Sequence, residues 1–108
     1  MYASRTWYIR YTADMILSYR DKRTAAFAEG DFVSAFQGFA RQAYRRLEVL
    51  EAAGSLDELR ALRSNRLEAL KGNRAGQFSI RINDQWRICF EWPRGASGPS
   101  SVEIVDYH

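Results

Sequence analysis

The sequence predicts a single α+β domain, with two helices packed on one face of a mostly antiparallel sheet. Three observations support this. The chain has 108 residues, room for one core, since a second would need roughly another 100. Apolar residues recur at helical spacing between Ser34 and Leu50. From Phe78 to Trp92 they alternate with polar ones, the period of a half-buried strand. Apolar content of 46% with 14% aromatics suffices for a compact core and excludes wholesale disorder.

The elements follow in order. The cleanest opening element is MILSY (15–19), an expected N-terminal strand. Met15 reads as a natural start, with residues 1–14 an upstream extension and 15–108 the domain. Asp21 is placed to cap a short helix running to about Ala28, and Gly30 supplies its stop. Ser34 begins a stronger helix, its apolar stripe formed by Phe36, Phe39, Ala40, Ala43, Leu47 and Leu50. Gln37, three residues after Ser34, fits a capping box, and Gly54 is positioned to end this helix. Ser55 and Glu58 repeat the capping signal for a short turn through Leu62. A strand-like stretch from Leu67 to Lys71 runs into a loop bounded by Gly72 and Gly76. Phe78, Ile80 and Ile82 then alternate with Ser79 and Arg81; Asn83-Asp84-Gln85 makes a tight connection; Trp86, Ile88, Phe90 and Trp92 alternate with Arg87, Cys89 and Glu91. Pro93 to Ser101 is a loop, and Val102 to His108 forms the last strand. If the apolar sets face the helices, Arg81 and Arg87 project from an opposite, helix-free and basic face.

Several function classes fall away. No window approaches the ~18 apolar residues of a membrane span, and no secretory signal is recognisable, so a cytoplasmic domain is expected. A single cysteine cannot form an intramolecular disulfide, and with one histidine it cannot build a structural zinc site. No P-loop or Ser-His-Asp spacing is present. The charge is unevenly spread. Sixteen Lys+Arg oppose 13 Asp+Glu, a net +3. Six of the cations, Arg63, Arg66, Lys71, Arg74, Arg81 and Arg87, lie in a segment whose only anions are Glu68 and Asp84. Such a segment suits a polyanionic partner, and arginine favours bidentate contact with phosphate. RNA cleavage by its own 2′-hydroxyl asks for little more than this: a base, cations around the crowded phosphorane, and an acid for the 5′-oxygen. His108, whose imidazole titrates near neutrality, can serve as one proton-transfer group. No metal or cofactor is required.

The blocks LKGNR (70–74), SIRINDQWRI (79–88) and VEIVDYH (102–108), in that order, closely resemble the HigB toxins of the RelE/ParE superfamily, from Met15 to His108. The resemblance implies a RelE-like fold and a ribosome-dependent endoribonuclease that cuts translated messenger RNA. It also implies a HigA-type helix-turn-helix antitoxin that neutralises the toxin and through which the pair reaches operator DNA. By position, Lys71 and Arg87 resemble the phosphate-stabilising cations, with Lys71 a possible base. His108 resembles the general acid, with Asp106 and Tyr107 as the neighbours that orient it or stack on a base. Arg74, Arg81 and Arg66 are candidates for the RNA backbone. Glu68 stands where some relatives place a histidine; it acts as base or, the preferred reading, pairs with an arginine.

Structural alternatives stand beside these roles. Lys71 can be a solvated strand end, Arg87 can pair with Glu91, and Tyr107 can belong to the core. Trp86 and Trp92 read as core residues and Cys89 as inert. Two rival functions remain at this level: a ParE-like inhibitor of DNA gyrase, since fold does not fix function, and a non-enzymatic RNA- or partner-binding module.

Overall fold

A computed structural model describes residues 16–106. The expected extension 1–14, the start at Met15, and Tyr107 and His108 lie outside the described residues.

Helix α1 (Lys22–Ala28) begins where expected. Asp21 is extended, and its carboxylate accepts from the Thr24 amide at 3.0 Å. It ends in a left-handed Gly30 (φ +104), with Gly30 donating to the Phe27 carbonyl and Asp31 to that of Ala26. This paired closure favours glycine. Buried Thr24 ties the helix to the sheet, its hydroxyl accepting from the Ile104 amide at 3.1 Å.

The expected single helix from Ser34 is two pieces. A 3₁₀ turn spans Ser34–Phe39, and helix α2 spans Ala40–Ala52 after a non-helical Phe39 (φ −137, ψ 25). Three residues per turn eclipse positions i and i+3, which puts Phe36 and Phe39 on one side. Both rings meet Trp86, Phe36 edge-on at 5.8 Å and Phe39 stacked at 4.8 Å. The capping box also fails to form: Ser34 caps nothing, and the Gln37 amide donates to the Val33 carbonyl instead. Ala43, Leu47 and Leu50 carry the buried stripe of α2. That helix ends before Gly54, whose amide donates to the Glu58 carboxylate at 2.7 Å. Helix α3 (Leu56–Ala61) is capped by Ser55, which accepts from the Glu58 amide.

Four strands follow in an antiparallel meander, β1 (Glu68–Ala69), β2 (Gln77–Arg81), β3 (Arg87–Glu91) and β4 (Ser100–Val105), ordered as in the chain. The expected N-terminal strand contributes one parallel bridge, Tyr19 to Val102, flanked by backbone hydrogen bonds from Leu17 to Pro99 and from Arg20 to Val102. A register shift between β3 and β4, with Ser101 at φ 52, absorbs one residue. Beyond the shift, Val102 and Ile104, two residues apart on one strand, both reach the core. Ile80, Ile82, Ile88, Phe90, Trp92, Val102 and Ile104 meet Phe27, Phe36, Leu47, Leu50 and Leu59 in one cluster. Each fully buried large side chain is worth about 1.5–3 kcal/mol relative to exposure, so the helices are committed to this sheet face. The other carries no described helix and is covered by its own polar side chains, beneath which Ser79 and Cys89 are buried. The expected α+β arrangement is the observed one.

Candidate functional site

Alternation along β2 and β3 sends Ser79, Arg81, Arg87 and Cys89 to the open face, with Arg81 directly opposite Arg87 and Ser79 opposite Cys89. Arg87 is the most firmly held cation of this face. Only 14% of its side chain is exposed. Its Nε donates to the Ser79 hydroxyl at 2.8 Å, and its Nη2 donates to the Arg66 carbonyl at 2.6 Å. Ser79 is fully buried. Glu68 supplies the carboxylate, with Oε1 4.0 Å from Nη2. A guanidinium stays charged at any working pH, and a buried charge needs such acceptors to offset its lost hydration. The arrangement therefore fixes one positive charge on an open face.

The Arg66 carbonyl is aimed by backbone geometry. Arg66 is left-handed (φ 47), just beyond a 3₁₀ turn at Arg63–Asn65. Fully buried Asn65 anchors that turn, donating to the Leu59 carbonyl at 3.0 Å and accepting from Arg46 Nη1 at 2.8 Å. Burial and the neighbouring charges of Arg81 and Arg45 push the Arg46 guanidinium below its ordinary value. Arg45, Arg46 and Arg81 thus form a positive cluster beside Arg66. Arg81 also pairs with the fully exposed Asp84, a contact that solvent weakens.

The other expected residues fall in distinct places. Glu68 faces Ser79 across the β1–β2 pairing and meets Arg87, the arginine pairing preferred from sequence. Arg87 does not pair with Glu91. Lys71 is exposed and lies three residues past Glu68, next to Leu70, whose amide donates to the Gln77 carbonyl. Arg87 lies two residues from Cys89 in the opposite direction, toward Arg81. Lys71 and Arg87 thus stand toward opposite ends of the sheet. Exposed Asp106 follows β4 and accepts from Gln85 Nε2 at 2.7 Å. Arg74 crosses the face, donating to Gln77 at 2.9 Å and to Glu103 at 3.4 Å. Trp92 is buried, and Trp86 is packed against the core. Cys89 is fully buried, and burial pushes its thiol up to about 11.

Sequence reading did not single out Ser79, Asn65, Arg46, Gln85, Arg20 or Glu103. The alternation that placed Arg81 also places Ser79 on the open face, so that signal was present. Nothing local marks the Arg66 carbonyl as an acceptor.

A family model described as the RelE-like toxin of the type II toxin–antitoxin system HigB matches residues 17–108. The chain belongs to this family. Toxin HigB-1 of Vibrio cholerae serotype O1 is 36% identical over 85 residues, 77% of this chain and 90% of that toxin. Among solved structures, a YoeB/ParE toxin from Agrobacterium tumefaciens aligns over 87% of this chain and 98% of its own, at 16% identity and TM-score 0.47. As a HigB-family toxin of a type II system, the protein has an antitoxin as its partner. The HigB match spans every element that builds the Arg87 site. Among the described residues, no helix is long and apolar enough to cross a membrane.

Proposed function

We propose that this HigB-family toxin is a ribosome-dependent endoribonuclease that cuts translated messenger RNA in the cytoplasm. The observation that carries the reading is the immobilised Arg87 guanidinium on an open, arginine-rich sheet face. Cations fixed before the substrate arrives stabilise the charge that develops in the transition state.

In the proposed reaction a base removes the 2′-hydroxyl proton and the 2′-oxygen bonds to the adjacent phosphorus. The bond to the 5′-oxygen breaks, and that oxygen takes a proton from the acid. The products are a 2′,3′-cyclic phosphate and a 5′-hydroxyl. Arg87 stabilises the phosphorane, and His108 is the acid, oriented by Asp106 and Tyr107. Lys71, toward the opposite end of the sheet, binds a different phosphate of the RNA rather than acting as base at this linkage. Glu68, beside Arg87, either holds that guanidinium or accepts the 2′ proton. Arg66, Arg74 and Arg81 bind the RNA backbone. No metal or cofactor enters the scheme. The antitoxin is of the HigA helix-turn-helix type, and operator DNA is reached only through the toxin–antitoxin complex.

Mapping messenger 5′ ends after induction, beside a gyrase supercoiling assay, tests this reading. New ends within translated regions are expected, with supercoiling unaffected. Inhibited supercoiling without new ends would assign a ParE-like action instead. Arg87→Ala and His108→Gln are each expected to slow cleavage roughly 10²–10⁴-fold, and full toxicity of both at equal expression would overturn the site.

A further inference from the structure

The open sheet face carries a second charge cluster, one strand further on. Glu103 of β4 sits in the same row as Cys89 and Ser79. Its Oε1 lies 3.4 Å from Arg74 Nη1 and 3.6 Å from Arg20 Nε. Arg74 also bonds Gln77 of β2, so its guanidinium bridges β2 to β4 over the buried Cys89. Ser79, which holds Arg87, and Glu103, which holds Arg74 and Arg20, are two strands apart, roughly 10 Å. The three guanidiniums therefore share one face. Glu103 is 18% exposed, whereas Arg74 is 29% and Arg20 51% exposed. The carboxylate lies beneath and the cations reach outward. Glu91, opposite Gln77, is a second carboxylate on this face, so it is the outward reach of the two guanidiniums, rather than a surplus of charge, that offers donors to an anion.

We propose that Arg20 and Arg74, positioned by Glu103, form a second phosphate subsite, binding a backbone phosphate of the RNA neighbouring the one held at Arg87. This rests on the nuclease reading. Arg20 belongs to the segment that bridges β4 through Tyr19, so docking of that segment completes the subsite. Glu103 is a positioning residue. Its ion pairs restrict two long side chains in advance, lowering the entropy that RNA binding must overcome.

The test uses the full chain, with a non-cleavable 2′-O-methyl hexanucleotide for binding and a translating extract for cleavage. Arg20→Ala is expected to weaken hexanucleotide binding three- to tenfold and to reduce the slope of log affinity against log salt by about 0.7, the value for one contact to a single strand. In the extract it should raise the half-saturating toxin concentration with the maximal rate kept, whereas Arg87→Ala lowers the maximal rate. Glu103→Gln discriminates by sign. Removing an incidental anion tightens RNA binding; removing a positioning group weakens it. Unchanged affinity and slope for Arg20→Ala, or tighter binding by Glu103→Gln, would overturn the subsite. A wild-type protein that binds the hexanucleotide with these dependences but cleaves nothing would retain the subsite and refute the nuclease reading.

Discussion

At the scale of single residues, the site is organised around acceptors for one guanidinium. Ser79 is fully buried and holds Arg87 Nε. Ser79→Ala leaves that donor unpaired, and the desolvation penalty of about 1–3 kcal/mol should appear as a lower urea midpoint. Cleavage should fall with it, because the charge is no longer fixed. Arg66 gives the opposite case. Its φ of 47 is a conformation that costs a non-glycine residue on the order of 1 kcal/mol. Arg66→Gly keeps the carbonyl that holds Arg87 and removes that strain. The variant should be at least as stable as wild type by urea denaturation, while binding RNA more weakly for want of one charge. The open basic face was legible in the sequence because side-chain alternation has a strict period of two. The anchoring of Arg87 was only half legible. Glu68 was recognised as an arginine partner, but the Arg66 carbonyl depends on a backbone turn and the Asn65 network, which no side-chain pattern reports.

At the scale of elements, capping chemistry was read well where it acts locally. Asp21 and Ser55 cap the helices assigned to them. The Ser34 box did not form because tertiary packing decides that segment. Phe36 and Phe39 are eclipsed in a 3₁₀ turn, whereas an α-helix would offset them by roughly 60°. Trp86, some 50 residues later, meets both rings in the eclipsed arrangement. Helical periodicity alone cannot distinguish a turn of three residues from one of 3.6 over so short a stretch. Trp86→Ala should therefore destabilise, though by less than the roughly 3–5 kcal/mol of a fully buried tryptophan, because Trp86 is only partly buried. It should also loosen the Ser34–Phe39 turn, seen as faster amide exchange there than in α2 (Ala40–Ala52). Exchange unchanged in that turn would show that local propensity, not the aromatic cluster, sets its winding.

At the scale of the whole molecule, one sheet performs two tasks. Its apolar face commits the helices, and its polar face remains available for a polyanion. The last strand joins them, since Val102 and Ile104 are core residues and Glu103 between them faces the arginines. The same layering governs the alkaline response. Burial, followed by the charges of Glu51 and Glu29, pushes the Tyr19 hydroxyl up to about 12 from 10, and burial pushes the Cys89 thiol up to about 11 from 9. Between pH 9 and 12 the unfolded chain has released protons that the folded chain retains. The unfolded state then binds fewer protons, and stability falls as pH rises through that window. The urea midpoint should decline from pH 9 upward, and less so in Cys89→Ala; a flat profile would contradict the burial of these groups. For the same reason Cys89 should resist thiol reagents at pH 8 until the protein is unfolded.

The central claim is a fixed cationic site that promotes attack by a 2′-hydroxyl, and message chemistry tests it most directly. The purified protein is added to programmed ribosomes carrying either an ordinary message or one with a single 2′-deoxy nucleotide at the mapped cut site. The account predicts a 2′,3′-cyclic phosphate and a 5′-hydroxyl from the first and an intact second message. Cleavage of the 2′-deoxy message at the same position, or no cleavage of either, would contradict it.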